Sequence, residues 1–480
     1  MTQEEQRQPL LVWGFALAAA APFLVVLLSL VTQTWSWGLM DDHSLLAIRG
    51  GVIAKWLSYF RQILANGALR PVTTFHAALA YKVFENAPGL FHLFRFVEVA
   101  AAVGVWAWAA FQLTGKRWTV FLMIAAAMSF HYIYDAFFFL STQEILGVFF
   151  TGVSLLLVQR SFYRIFSGEP GVSWGCFGCG ILSYVLALGC KEPFIAFGLA
   201  LGIGMMLLSS RVKGIDRGRI LIAGALLVVL SLLYGVFIKV CVTAPYTAAY
   251  SFTDVAKITG NLLQWARKDL LNHAPWIVAA LLLGRKALPE GFSLREQWGF
   301  VFGVLYYIIF LLLILPWSAV VYLATPLGVI FAFVITICVA RSLEKSASSA
   351  AGWVMVMALV INIAVAGYAT TREMIYHLDT QNLLVWASVH PDFQEASRQG
   401  RVFSNAPEPS VAIPSHANRR WGLNMANFQN GEFSRQGSPS EYFVYSSRFG
   451  GFPAAALKSW RAAFYGKYWQ VYERQQVPPQ

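Results

Sequence analysis

Long apolar runs recur along this chain, and they constrain its fold more than any other feature. A bilayer core takes about 20 apolar residues per helix. Eleven candidate spans can be read: Leu10–Val31, Leu90–Leu113, Trp118–Phe138, Ile145–Val158, Val172–Leu188, Phe194–Leu208, Ile220–Phe237, Trp276–Leu283, Trp298–Leu315, Val320–Ala340 and Ala351–Tyr368. The fourth and eighth are short and must borrow flanking residues. Only 12% of the 480 residues are charged and 57% are hydrophobic, where a soluble domain carries roughly 25% charged residues. The first run is long enough to span and has no clear cleavage site, so it reads as a span rather than a signal peptide.

The net charge of +12 suggests nucleic acid only until its placement is read. With the N-terminus in the cytoplasm, the inner loops hold Arg7; Lys116 and Arg117; Arg160 and Arg164; Arg211, Lys213, Arg217 and Arg219; Arg285, Lys286 and Arg295; Arg341 and Lys345. That is the positive-inside distribution, so the charge is topological and no nucleic-acid partner is expected. The five cysteines lie in or beside apolar segments, which gives no disulfide framework.

This orientation puts three aqueous regions on the outer face: loop 32–89, loop 242–274 and the tail 371–480. The tail mixes Pro, Gly, Ser and aromatics with nearly balanced charge and reads as a small folded domain. Its Trp421, Tyr442, Tyr445, Trp460 and Tyr468 suit either sugar stacking or a small core. In the first outer loop, Ile53, Leu57, Phe60 and Leu64 recur at helical spacing, widened by Trp56 and Ile63, with Lys55 and Arg61 off that face. Phe75, Leu79 and Val83 make a second stripe after Pro71, which suits a helix's first turn. Both read as interfacial amphipathic helices, bordering a lipid entrance or simply covering the bundle.

Ionisable residues near a bilayer are expensive and therefore informative. Several fall on the outer side: Asp41, Asp42 and His43 in "MDDH"; Arg70; Arg95 and Glu98, spaced as an ion pair; His131 and Asp135; Gln143 and Glu144 in "STQE"; Lys191 and Glu192 in "CKEPF"; Tyr322 in "VVYLATP". A carboxylate can deprotonate an acceptor hydroxyl. Cations can hold a phosphate leaving group. With a cavity at the bilayer edge, these point to sugar transfer from a polyprenyl-phosphate donor.

Four motifs, in order, resemble the GT-C superfamily of integral-membrane glycosyltransferases, nearest to the transmembrane-and-tetratricopeptide type of O-mannosyltransferase. "MDDHSLLAI" is similar to that type's acidic pair. "LRPVTTFHAALAYKVF" resembles its Arg-Pro motif, "CKEPF" its Lys-Glu motif, and "VVYLATPLGV" its late Tyr…Pro element. The motifs are scattered over roughly the first 330 residues. Val320 and Val321 stand where that type usually has an Arg, and the tail is no tetratricopeptide array.

The resemblance implies an all-α polytopic membrane protein: a GT-C-like bundle of about eleven transmembrane helices (1–370, with 32–89 as the first outer loop) and a small extracytoplasmic C-terminal domain (371–480). It implies Asp41 as catalytic base with Asp42 beside it, and Arg70 and Lys191 as phosphate-binding cations. Glu192 would orient Lys191 or touch sugar or acceptor. His43, Gln143, Glu144 and Tyr322 would line the cavity. The donor would be a single sugar on a polyprenyl phosphate, and the acceptor a hydroxyl on a glycan, lipid or protein. A divalent cation, Mg or Mn, near "DDH" stays open, as does a simple helix cap there. The Ala/Gly/Trp-rich spans are compatible with a bacterial inner membrane, the location expected. A transporter or flippase of a lipid-linked substrate, an O-antigen polymerase and a membrane acyltransferase are the alternatives. Charges at one rim and the absence of an inverted repeat favour the enzyme over the transporter.

Overall fold

The computed structural model describes residues 3–32, 51–65, 68–84, 87–130, 133, 136–137, 144–166, 171–212, 214–241, 254–283, 293–316, 324–345, 349–399, 401–404, 426–427, 441–447 and 460–475. The helices are α1 (Gln3–Thr32), α2 (Val52–Ala65), α3 (Pro71–Phe84), α4 (Pro88–Thr114), α5 (Trp118–Met128), α6 (Glu144–Ser161), α7 (Tyr163–Phe166), α8 (Trp174–Leu188), α9 (Ile195–Ser209), α10 (Ile215–Cys241), α11 (Val255–Leu283), α12 (Leu294–Ile314), α13 (Thr325–Lys345), α14 (Ser349–Val389) and α15 (Pro391–Arg398).

Among the described residues, five helices are long and apolar enough to cross a membrane, and five shorter apolar helices accompany them. Ten of the eleven sequence-read spans fall on these. The eighth, Trp276–Leu283, is the end of α11, just past Pro275 inside that helix. The outer faces are apolar too. On α10, Ile222, Leu226, Val229, Leu233 and Val236 are exposed, which in water would be an uncovered patch but in lipid is the ordinary surface of a span. This is the makeup of an integral membrane protein.

Inside the bundle, several polar side chains bridge neighbouring helices, an arrangement that favours groups held away from water. The Tyr184 hydroxyl on α8 meets Ser231 Oγ on α10 at 2.7 Å. Trp106 Nε1 on α4 donates to the Val148 carbonyl on α6 at 2.9 Å, and Ser183 Oγ donates to the Phe150 carbonyl at 2.8 Å.

The two loop helices present their stripes outward, as the periodicity predicts. Ile53, Leu57 and Leu64 on α2 and Phe75, Leu79 and Val83 on α3 are exposed, while Lys55 and Tyr59 are buried. Lys55 Nζ lies 3.4 Å from the centroid of the Tyr81 ring. A surface helix in water would bury its leucines; this one holds Lys55 against the protein and offers Leu57 and Leu64 to the surroundings.

The all-α description holds for the bundle and fails in the tail. There a five-stranded mixed sheet has the order β2-β1-β3-β5-β4, from β1 (Val402–Ser404), β2 (Ala426–Asn427), β3 (Tyr442–Ser446), β4 (Trp460–Tyr465) and β5 (Trp469–Arg474). β1 runs parallel to both β2 and β3, while β3–β5 and β4–β5 are antiparallel. α14 runs unbroken from the last apolar span into the tail. Its end carries Tyr376, Leu383 and Ala387 into a core with Phe393, Val402, Tyr442, Val444, Trp469 and Val471. On the other side, Tyr445 is buried with Phe443 and Tyr472, and Trp460 packs against them. Of the aromatics named for sugar stacking, Tyr442 and Tyr445 therefore belong to the core. Trp421 lies outside the described residues.

Candidate functional site

The site is built where the segment leading into α3 meets the turn between α8 and α9. α8 ends at Leu188, and Cys190–Lys191 turn into a short 3-10 helix, Glu192–Phe194, that leads straight into α9. Pro193 fixes φ for that turn and gives up a donor that a helix start does not use. α3 comes in against it. The Val72 N–H donates to the Gly189 carbonyl at 3.0 Å, and Thr73 Oγ1 donates to the Cys190 carbonyl at 2.9 Å. Tyr234 on α10 locks the junction, its hydroxyl donating to the Leu188 carbonyl at 2.7 Å.

Two glycines make this approach possible. A Cβ on Gly189 would stand 2.5 Å from Val72 Cγ2, and one on Gly147 would stand 2.0 Å from the Phe194 ring. Gly147 lies one turn past Glu144 on α6, so the same contact that seats Phe194 also brings the turn against the start of α6.

Four ionisable side chains then meet. Arg70 Nε donates to both Glu192 oxygens, at 3.2 and 3.3 Å, and Nη2 donates to Oε2 at 3.1 Å. The Leu69 N–H adds a bond to Oε1 at 3.3 Å. Lys191 Nζ is paired with the Glu144 carboxylate. All four are buried, none more than 7% exposed. Glu144 occupies the first turn of α6, where the helix dipole favours a negative charge. Burying these charges is tolerable only because each cation has a carboxylate and the quartet sums to zero. An arriving phosphate would find two cations already positioned and two carboxylates to displace.

The structure thus joins Arg70, Glu144, Lys191 and Glu192: the Glu192 carboxylate bonds Arg70, and the Glu144 carboxylate is paired with Lys191. Asp41, Asp42, His43, Gln143 and Tyr322 lie outside the described residues, as do His131 and Asp135. Among the described residues no group of three His, Cys, Asp or Glu gathers as metal ligands. The expected Arg95–Glu98 pair is present at 3.0 Å, and His76 Nε2 on α3 joins Glu98 at 2.5 Å. Thr73, Gly147, Gly189 and Tyr234 were not singled out from the sequence. The glycines flanking "CKEPF" and "STQE" were the only local signal, and a glycine in an apolar helix is common enough to pass unnoticed.

No protein-family model matches the chain, and no curated protein matches it significantly. Among solved structures it is similar to ArnT from Cupriavidus metallidurans bound to undecaprenyl phosphate. The identity is 13% and the TM-score 0.48, over 97% of this chain and 99% of that one. It is also similar to the archaeal oligosaccharyltransferase AglB from Archaeoglobus fulgidus, in complex with an inhibitory peptide and a dolichol-phosphate. There the identity is 11% and the TM-score 0.45, over 96% of this chain and 75% of that one. At this level of likeness, what the site does must be read from its own residues.

Proposed function

We propose that the chain is a membrane glycosyltransferase that moves a single sugar from a polyprenyl-phosphate donor to an acceptor hydroxyl on the extracytoplasmic face. One observation carries this reading: two buried cations, Arg70 and Lys191, are fixed side by side by Glu192 and Glu144 at one end of an apolar bundle. Beside them, α2 and α3 turn apolar stripes outward. The lipid tail of a donor would lie along that apolar surface, and its phosphate would reach the cations.

In the proposed reaction Asp41, with Asp42 beside it, takes the proton of the acceptor hydroxyl. The acceptor oxygen bonds to the anomeric carbon, and the bond from that carbon to the phosphate oxygen breaks. Polyprenyl phosphate leaves with the electron pair, its charge stabilised by Arg70 and Lys191. Attack opposite the leaving group inverts the anomeric centre. Asp41, Asp42 and His43 are also the residues that would hold a divalent cation such as Mg or Mn. The acceptor would be a cell-envelope glycan, a lipopolysaccharide or a secreted protein. The protein would sit in a bacterial inner membrane with its tail outside.

The test is transfer of labelled sugar from a panel of synthetic polyprenyl-phosphate sugars, with and without chelator. Membranes would carry wild type, Asp41→Asn or Asp42→Asn at matched expression. Transfer by wild type, abolished in one Asn variant that still binds donor, supports the reading. Equal transfer by all three removes the acidic pair from catalysis. Transfer only from lipid-linked oligosaccharides would replace the single-sugar donor.

A further inference from the structure

A polar cavity of about 660 Å³ lies far from the Arg70–Lys191 site; Gln112, Arg160, Ser161, Tyr163, Arg164 and Ser173 are among the residues that line it. Two helices fix its place. α6 starts at Glu144 in the first site and ends at Ser161 beside the cavity, an 18-residue helix about 27 Å long at the usual helical rise. α8 runs the other way, from Trp174 at the cavity to Leu188 at the first site. The cavity therefore opens at the opposite end of the bundle, the end where the basic loops put the cytoplasm.

The cavity is built for an anion. Arg160 and Arg164 have no hydrogen-bond or ion-pair partner among the described residues, and no acidic side chain among those residues lines it. The Ser173 N–H donates to the Ser161 carbonyl at 2.9 Å, pulling the two walls together. Ser173 is also the N-cap of α8, and its hydroxyl makes no capping bond. The positive end of that helix dipole thus faces the same space. The Arg295 guanidinium lies 4.2 Å from the ring centroid of Tyr163, one of the lining residues.

The surroundings select a lipid over a soluble anion. Tyr163 and Trp174 are both exposed beside the cavity, as aromatic side chains are at the headgroup level. Leu182 and Val185 are exposed further along α8, leading from the cavity toward the membrane interior. We propose that this cavity binds the phosphate headgroup of an anionic phospholipid, with its acyl chains lying along α8. Two arginines give a phosphate paired, planar donors, and basic pockets between spans on the cytoplasmic side are where such headgroups collect.

The experiment is native mass spectrometry of the detergent-purified full chain, titrated with phosphatidylglycerol, with phosphatidylcholine of the same chain length, and with inorganic phosphate. Wild type would be compared with Arg160→Gln/Arg164→Gln, with Arg160→Lys/Arg164→Lys, and with a control of equal charge loss, Arg211→Gln/Arg217→Gln, whose positions do not line the cavity. Wild type is expected to retain phosphatidylglycerol over phosphatidylcholine by on the order of tenfold or more. The Gln pair should lose that preference, the Lys pair keep part of it, and the control keep all of it. If the Gln pair is not recovered folded, the comparison of the Lys pair with the control decides. Equal preference in cavity variants and control would overturn the proposal. So would inorganic phosphate that binds wild type without competing against the lipid.

Discussion

Arg70 and Glu192, 122 residues apart in sequence, form a buried ion pair in which the guanidinium Nε and Nη2 both bond the carboxylate. It ties the segment leading into α3 to the turn between α8 and α9, so the site cannot form until both are in place. Removing one partner strands a charge in a dry environment, at a cost of about 3–5 kcal/mol. Glu192→Ala and Arg70→Ala should each lower the thermal midpoint in detergent. The double variant should be more stable than their summed losses predict. Strict additivity in that cycle would mean that the pair does not form in the membrane protein.

Lys191 and Glu144 make the second pair, and they should separate binding from folding. Lys191→Met removes a proposed phosphate donor, and losses of about 100-fold or more in transfer rate follow when one such group is deleted. Glu144→Gln keeps the shape and frees Lys191 of its counter-charge. It should therefore bind donor at least as tightly while transferring more slowly. Donor affinity and turnover measured on both variants would show it, and weaker donor binding in Glu144→Gln would count against a phosphate role for Lys191.

Gly147 has no room for a side chain beneath the Phe194 ring. Gly147→Ala must push that ring and the turn carrying Lys191 and Glu192. Overpacking of this kind costs about 1–3 kcal/mol. Adding Phe194→Leu should restore part of both stability and transfer, since it removes the atoms in conflict. No rescue would place the damage elsewhere on α6.

In the tail, the Asp379 carboxylate on α14 accepts from the Tyr468 N–H at 2.6 Å and the Trp469 N–H at 2.8 Å. It caps the β4–β5 hairpin and binds it to the long helix. Asp379→Ala leaves two backbone donors without their acceptor and should cost about 1–3 kcal/mol. Hydrogen exchange is the readout. Residues 460–474 should exchange faster while the bundle is unchanged.

Tyr442 gives the tail a pH signature. Its burial, with the Glu473 and Asp392 carboxylates nearby, pushes the phenol up to about 12. An unfolded tyrosine titrates near 10. The folded state therefore holds its proton more tightly. That contribution is complete below pH ~10 and is lost as pH rises toward ~12. Tyr442→Phe should flatten the fall in tail stability across that window, followed by near-ultraviolet circular dichroism. An unchanged slope would assign it to other groups.

How much of this was readable beforehand differs from element to element. The stripes on α2 and α3 followed from periodicity, because a helix facing lipid needs only a local rule about which residues recur. Arg95 and Glu98 were readable for the same reason, being one turn apart on one helix. The sheet in the tail was not legible. Strands of three to six residues, such as β1 and β4, carry too little alternation to be told from loop.

The sequence alone determined that the chain lives in a membrane, roughly where it crosses, and which polar residues are out of place there. Those are properties of single segments meeting lipid, where every backbone group must be satisfied within the segment. Only the tertiary structure decided that Arg70 pairs with Glu192 and Lys191 with Glu144. Lys191 and Glu192 are adjacent, with equal claim on either cation's or carboxylate's neighbourhood by sequence. The turn's extended Lys191 backbone (φ −163°, ψ 145°) and the bare face of Gly147 send the two side chains to different partners, and no pattern along the chain records that geometry.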